Sequence, residues 1–161
     1  MRFKIWFVIL SFLGTSVAQA CTSIVLSSTD QGRVYARTME FGIPLKSAVL
    51  ITPKGYAFKG VGIDGVPGSG KNWTSKYAVI GANAFGLPVY VDGLNEMGLA
   101  GGLLNAPNTA QYQNPTQDQS ANSIASQQLL IYALTNFATV AEVKNALPKM
   151  FVNSSPLKEW G

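Results

Sequence analysis

The stretch AQACTSIVLSS, residues 18–28, places the only cysteine of the chain directly behind small residues and at the start of a β-branched run. Ala18 and Ala20 occupy the small-residue positions of a signal-peptidase site, so a cut after Ala20 would make Cys21 the first residue of the mature chain. A thiol and a free α-amino group would then lie on one residue. That pair is a nucleophile together with its base.

The residues before this cut have the parts of a secretory leader. Arg2 and Lys4 form a basic start, and Ile5–Leu13 is apolar almost throughout. The run is shorter than the ~20 residues that a membrane-spanning helix needs. We therefore predict a signal peptide at 1–20 and an exported chain, periplasmic or secreted, that begins at Cys21. The alternative is a lipidated Cys21 on a surface binding module without catalysis.

The amino-acid composition limits the kinds of active site and binding site that this chain can hold. The chain has 161 residues, a formal charge of +4 and no histidine, and without Arg2 and Lys4 the charge is +2. No run of Lys or Arg indicates nucleic-acid binding. Without histidine the chain holds no Ser-His-Asp or Cys-His catalytic unit, and a zinc site is disfavoured, so we expect no metal and no cofactor. A lone cysteine in an exported chain is either an intermolecular bridge or a working thiol.

Predicted strands occupy the first part of the chain. Thr22–Ser28 and Arg33–Thr38 are rich in β-branched and apolar residues and predict a hairpin around a Gln31-Gly32 turn. Further strands are predicted at Ala48–Thr52, Lys76–Ile80 and Leu99–Leu104, the last after turn signals at Asp92-Gly93 and Asn95–Gly98.

Predicted helices occupy the last part, after a polar loop. Apolar residues at helical spacing predict a helix over Ser123–Phe137, and Thr139-Val140-Ala141-Glu142 is a capping box for a second helix that ends near Pro148. Phe151–Gly161 carries no signal for a third helix or a closing strand. Strands followed by helices favour an α+β domain with helices packed on an antiparallel sheet.

A glycine-rich segment partly matches a phosphate-binding loop. Gly65–Lys71 fits the first seven positions of the P-loop motif, but Asn72 stands where Ser or Thr would bind magnesium. Trp73–Ile80 predicts a strand, whereas the phosphate site needs a helix N-terminus. We therefore reject the P-loop and interpret Gly60–Lys71 as a flexible surface loop.

Several segments, in order, carry a family resemblance. They are Cys21-Thr22 at the start of a strand, Arg37–Phe41, Asp92–Leu99 and Leu104–Pro107. These segments are similar to the choloylglycine hydrolase family, the penicillin V acylases and conjugated bile salt hydrolases, which are N-terminal nucleophile amidases. The resemblance covers Cys21 to about Leu157. It implies an αββα sandwich of which 21–161 is the N-terminal half.

The resemblance also implies roles for four residues. Cys21 would be the nucleophile, and Arg37 the neighbouring cation that favours its thiolate. Glu40 stands where the family usually has an aspartate that receives the α-amine, and Asn105 would line the oxyanion hole. On residue type alone, Arg37 could equally be an exposed strand residue, Glu40 its surface partner and Asn105 a turn residue.

Substrate class follows from the same resemblance. The residues in segments similar to the family's substrate-pocket loops are Met39, Phe41, Phe85 and Leu87. We predict a cysteine amidase that hydrolyses the linear C–N bond of a small N-acyl amide, similar to penicillin V acylase and acting on N-acyl homoserine lactones. Conjugated bile salts are the alternative substrate. The resemblance implies a homo-oligomer, a tetramer, for the full-length protein.

Overall fold

Ten strands and two α-helices are formed by the residues that the computed structural model describes, 21–104 and 109–155. The strands are β1 (Ser23–Ser27), β2 (Arg33–Arg37), β3 (Val49–Thr52), β4 (Ala57–Phe58), β5 (Trp73–Thr74), β6 (Val79–Asn83), β7 (Tyr90–Asn95), β8 (Ala100–Gly102), β9 (Ser123–Ala125) and β10 (Phe151–Asn153), and the helices are α1 (Leu129–Asn136) and α2 (Val140–Ala146). Within these ranges no helix is long and apolar enough to cross a bilayer.

Strands β1 and β2 form the predicted hairpin. They pair antiparallel with Ser23 opposite Arg37 and Ser27 opposite Arg33. The turn is closed by Gln31 in the left-handed region, at φ 66°, and by the Ser28 N–H, which donates to the Gly32 carbonyl. Every residue of β1 is exposed, so the hairpin lies at the surface of the described domain.

A four-stranded antiparallel sheet in the order β3-β6-β7-β8 forms the centre of the domain. Strand β6 begins later than the predicted Lys76–Ile80. The N–H groups of Lys76 and Tyr77 donate to the Thr135 carbonyl of α1 instead of a strand partner. Because these two N–H groups are bonded to the helix, they are not available to extend the strand back to Lys76.

The predicted turn at Asp92-Gly93 is wrong, because β7 continues straight through both residues. Gly93 pairs with Gly81 of β6 and Gly101 of β8. A Cβ at Gly93 would lie 2.8 Å from Leu134 Cδ1, so this glycine lets helix α1 approach the sheet closely. The second predicted turn is confirmed, and Gly98 adopts the φ of 85° that closes it.

Helix α1 covers one face of the sheet and forms the core with it. The buried apolar residues of this core are Trp73, Val79, Tyr90, Leu99, Ile124, Leu130, Ile131, Tyr132, Leu134 and Met150. The opposite face is apolar but exposed: Val49, Ile51 and Ile80 are all exposed there. The sheet therefore buries one of its two apolar faces within the described residues.

The predicted helix over Ser123–Phe137 begins late, at Leu129. Ser123–Ala125 is instead strand β9, which pairs in parallel with β10. The fully buried Ser123 hydroxyl accepts from Asn153 of β10 at 3.1 Å, and tertiary pairing overrides helix propensity. The prediction of no strand in Phe151–Gly161 was accordingly wrong.

The predicted N-cap at Thr139 is confirmed at the start of α2, but the second bond of the capping box goes to the residue before the cap. Thr139 Oγ1 accepts from the Glu142 N–H at 3.2 Å, and the Glu142 carboxylate accepts from the Ala138 N–H at 2.7 Å. The helix ends at Ala146, and a 3-10 turn containing Pro148 follows.

The glycine-rich segment is packed into the domain, which corrects the prediction of a flexible loop. Val61 is fully buried and its N–H donates to Gln128 Oε1 at 2.8 Å. A Cβ at Gly70 would lie 2.5 Å from the Ser123 carbonyl oxygen, so only glycine fits there. No helix begins after Lys71, since β5 follows, and rejection of the P-loop is confirmed.

Candidate active site

Cys21 lies half-buried at the start of the hairpin. The Thr38 N–H donates to the Thr22 carbonyl at 2.8 Å, and the Thr22 N–H donates to Thr38 Oγ1 at 3.1 Å. These two bonds close the open end of the hairpin. They place Cys21 beside the segment after β2, where its thiol contacts the Glu40 carbonyl oxygen at 4.0 Å.

Arg37 is the buried cation of this region, with 5% of its side chain exposed. Its Nη1 donates to the carbonyls of Val91 and Leu103, each at 2.8 Å, and its Nε donates to the Thr38 carbonyl at 3.3 Å. The Nε atom also lies 4.0 Å from Asp92 Oδ2. The guanidinium is therefore fixed between the hairpin and the central sheet.

Cys21 and Arg37 border one small apolar cavity of about 60 Å³. Its other lining residues are Met39, Phe41, Leu45, Ala84, Phe85, Val91 and Leu103. Three of the four predicted pocket residues thus lie beside the predicted nucleophile. Leu87 does not line this cavity; its backbone bonds to Ala84 and Asn83 hold the β6–β7 connection.

The two aromatic residues of the cavity contact each other. The rings of Phe41 and Phe85 meet edge to face, with centroids 5.4 Å apart. Phe85 has a left-handed backbone at φ 60°, and its N–H donates to the Leu45 carbonyl at 2.6 Å. A phenylalanine in this conformation is strained, and the hydrogen bond and ring contact hold it there.

Glu40 and Asn105 remain less defined than Cys21 and Arg37. Glu40 is exposed, and it contacts the Cys21 thiol through its backbone carbonyl oxygen. Arg37 forms its ion pair with Asp92. The alternative in which Glu40 is the surface partner of Arg37 is therefore wrong. Asn105 lies outside the described residues. The proposed roles of both residues stay predictions.

Sequence reasoning missed Asp92 as a member of this region by assigning it to a turn. Burial raises the pKa of the Asp92 carboxyl, while the Arg37 cation and the Gly93 N–H oppose the shift. The nearby Tyr35 hydroxyl is buried without a hydrogen-bond partner among the described residues. Burial also raises the pKa of Tyr35, and the Asp92 charge adds to the effect. An aspartate inside an apolar strand is unusual, and that was the available signal.

A model of one protein family matches most of this chain. The family is the linear amide C–N hydrolases, choloylglycine hydrolase family, and the match covers residues 21–158. The chain belongs to this family. Its N-terminal nucleophile hydrolase fold and the resemblance seen in the sequence are thereby confirmed.

Curated relatives of this family member carry bile-related names. The bile salt hydrolase/transferase of Clostridium perfringens is 30% identical over 141 residues, which is 86% of this chain and 41% of the relative. The conjugated bile acid hydrolase of Lactobacillus gasseri is 34% identical over 130 residues, 79% of this chain and 38% of the relative. The chain therefore spans about two fifths of the length of these relatives.

Solved structures agree with the family fold. Two variants of the conjugated bile acid hydrolase of Clostridium perfringens match, one with a cysteine replaced by alanine and one with an arginine replaced by leucine. Their TM-scores are 0.67 and 0.65, both at 26% identity, and they cover 83% and 81% of this chain and 39% and 38% of their own. In an αββα sandwich two sheets pack face to face, and the exposed apolar face of the central sheet is suited to that packing.

Proposed function

We propose that this protein is an exported cysteine amidase that hydrolyses the linear C–N bond of a small N-acyl amide. The observation that carries the proposal is that Cys21 and the buried Arg37 border the same apolar cavity. The family match begins at Cys21, which supports a mature chain with this residue at its N-terminus. Family membership supplies the reaction class.

The chemistry needs only the first residue and its surroundings. The free α-amine, with an ordinary pKa of about 7.7–8.0, takes the thiol proton as the Cys21 sulfur attacks the amide carbonyl carbon. The tetrahedral intermediate collapses, the C–N bond breaks and the ammonium returns its proton to the leaving amine. Water, deprotonated by the same amine, then hydrolyses the acyl-thioester and releases the carboxylic acid.

Arg37 supports the first step as a fixed positive charge. A buried cation beside a thiol favours the thiolate, and the two 2.8 Å hydrogen bonds to backbone carbonyls orient the guanidinium. The cysteine and arginine replaced in the two solved variants are separated by the same sixteen residues as Cys21 and Arg37. Glu40 as the partner of the α-amine and Asn105 as an oxyanion donor complete the proposal.

Conjugated bile acids are the substrate that the relatives favour, since the curated relatives described above are named for them. The penicillin V acylase activity, with N-acyl homoserine lactones as substrates, is the other candidate and rests on the sequence resemblance. Both substrate classes pair an apolar acyl group with a linear amide, which suits the aromatic lining of the cavity. Parallel assays with glycine-conjugated cholate, penicillin V and an N-acyl homoserine lactone separate them.

Mass spectrometry of the protein purified from its host tests the proposal. We expect a mature chain that starts with unmodified Cys21, and an N-terminal peptide that gains one acyl group when turnover is quenched early. Cys21→Ala should abolish hydrolysis and acyl transfer, while Ser27→Ala, at an exposed position of the same strand, should retain both.

Three results would contradict the proposal. They are a mature chain that keeps Met1, a lipid on Cys21, or undiminished hydrolysis by Cys21→Ala. Lipidation would block the α-amine and favour the binding-module alternative. The native mass of the same sample tests the tetramer that the resemblance implies for the full-length protein.

A further inference from the structure

Asp92 and Arg37 come from different parts of the fold and meet beside strand β7 of the central sheet. Arg37 ends β2 of the hairpin, whereas Asp92 lies in the middle of β7. The Asp92 carboxylate lies 4.0 Å from Arg37 Nε, and 27% of its side chain is exposed. A pair with one partner almost fully buried is screened less by water than a surface pair.

The other acceptors of the guanidinium are neutral. Val91, Leu103 and Thr38 each offer a backbone carbonyl, which fixes direction but does not balance the positive charge. Among the described residues, Asp92 is the acidic side chain that forms an ion pair with Arg37. A buried cation without its counter-ion is costly and moves toward water when it can.

Asp92 is separated from the nucleophile by Arg37. Arg37 borders the cavity of Cys21, whereas Asp92 does not. Neighbouring residues of a strand point to opposite faces, and Val91, next to Asp92, is the residue of β7 that lines the cavity. Asp92 therefore does not touch the reacting atoms, and any effect on Cys21 passes through Arg37.

We propose that Asp92 is a positioning residue, whose carboxylate holds the Arg37 guanidinium at the edge of the Cys21 cavity. The inference rests on the proposed function for the role of Cys21. Among the described residues, the charged and titratable groups near Asp92 are Arg37, which forms the ion pair, and Tyr35 and Arg33, which line the same cavity as Asp92; all three come from β2. Tyr35 is neutral near neutral pH, since burial raises its pKa further above the ordinary value of about 10, and Arg37 is the cation within ion-pair distance of Asp92.

The test is the reactivity of the Cys21 thiol, which needs no substrate. The rate of alkylation by iodoacetamide is measured against pH in the purified full protein and read on its N-terminal peptide by mass spectrometry. Asp92→Asn should release Arg37 and slow alkylation at neutral pH by about three- to tenfold, because a cation held beside a thiol favours the reactive thiolate. The matched control is Glu96→Gln, which removes the same charge from an exposed pair with Lys54 and should leave the rate unchanged.

The sign of the change separates positioning from simple screening. If Asp92 only weakened the field of a fixed Arg37, its removal would strengthen the effect of the cation on the thiol and speed alkylation. Faster alkylation, or an unchanged rate, would overturn the proposal. In an Arg37→Gln background Asp92→Asn should add no further change, and an additional shift there would equally overturn it.

Asp92→Glu keeps the charge but moves it by one methylene, and it serves if Asp92→Asn does not fold. It should slow alkylation in the same direction and less strongly, and a rate equal to that of the unaltered protein would count against positioning. Failure of amide hydrolysis with the alkylation shift intact would reject the proposed function and leave this inference standing. Amide hydrolysis without the alkylation shift would support the proposed function and reject this inference.

Discussion

The rings of Phe41 and Phe85 meet edge to face at an interplanar angle of 62° beside the cavity that Cys21 borders. The cavity holds about 60 Å³, less than the ~150 Å³ of an engineered cavity that binds benzene. The two rings take up space beside the thiol, so we expect a bulky acyl group to reach Cys21 more easily when the contact between Phe41 and Phe85 opens.

Phe85→Ala should open this cavity to large reagents. The ratio of alkylation rates of Cys21 by a bulky maleimide and by iodoacetamide should rise severalfold, because only the large reagent is hindered by the ring. The control is Tyr56→Ala, which removes an exposed aromatic from another edge-to-face pair. An unchanged ratio for Phe85→Ala would show that the ring pair does not limit access.

Gly102→Ala should disturb the arginine through the sheet. A Cβ at Gly102 would lie 2.5 Å from the Tyr35 hydroxyl and 2.8 Å from Arg37 Nη1, so one of these groups has to move. We expect a loss of about 1–3 kcal/mol in the free energy of unfolding, measured by denaturant titration, together with slower alkylation of Cys21.

The neighbouring glycine provides the control for this prediction. A Cβ at Gly101 would meet only the end of the Leu130 side chain, at 3.2 Å, and that side chain can yield. Gly101→Ala should therefore leave the reactivity of Cys21 unchanged. Equal alkylation rates for the two variants would contradict the predicted link between Gly102 and Arg37.

Asn95→Ala should destabilise the domain because the hydrogen bonds of Asn95 are structural. The Asn95 amide donates to the carbonyls of Leu134 and Phe137, both at 2.8 Å, and its oxygen accepts from the N–H groups of Met97 and Leu99. These bonds join the β7–β8 turn to the end of α1. Their loss leaves buried groups unpaired, and we expect about 3 kcal/mol less stability by denaturant titration.

Asn136→Ala is the matched control for that measurement. Asn136 is partly exposed and its amide donates to the Tyr132 carbonyl within the same helix. Its removal should cost about 1 kcal/mol or less, since water can replace the lost partner. Similar losses at the two positions would mean that the Asn95 bonds do not link the sheet to α1.

Two acidic residues should give opposite dependences of stability on pH. Burial raises the pKa of Asp92, so its ionisation costs stability as pH rises through the raised folded-state pKa. The Ala78 N–H and Lys54 lower the pKa of Glu96, which contributes stability above its unfolded-state pKa and loses it as pH falls through the folded-state pKa.

The neutral variants make this contrast measurable. Relative to the unaltered protein, the free energy of unfolding of Asp92→Asn should rise as pH increases above about 4, where the pKa of Asp92 is raised. That of Glu96→Gln should fall as pH increases toward about 4.5 from below, because the pKa of Glu96 is lowered. Urea titrations of the three proteins from about pH 3 to about pH 7 give the slopes. Parallel pH dependences would refute the assignment of both environments.

Local patterns predicted the hairpin and the second helix because their determinants lie close together in the chain. The β-branched run after Cys21 forms the predicted strand, and Thr139 is the predicted N-cap of the second helix. Glycines were wrongly assigned to turns and flexible loops where contacts with distant residues explain them. Gly93 makes room for Leu134, and Gly70 makes room for the Ser123 carbonyl. A local sequence pattern contains neither contact.

The candidate site was predictable in part. Cys21, Arg37 and three of the four pocket residues line one cavity, and the signal was the motif order carried by the family resemblance. Asp92 was missed because its partner lies 55 residues earlier in the chain, and only the packing of the hairpin against the central sheet brings the two together. Pairings of this kind depend on register and are not visible in composition or spacing.

The hairpin that carries Cys21 has few ties to the rest of the domain. Among the described residues, the hydrogen bonds between the hairpin and the central sheet all come from Arg37. Segments with few buried contacts open locally at a lower free energy than the core, so amide hydrogens of β1 and β2 should exchange with solvent before those of β6 and β7. On heating, the surroundings of Cys21 should lose their structure before the central sheet does, so any activity that depends on Cys21 should be lost before the domain melts.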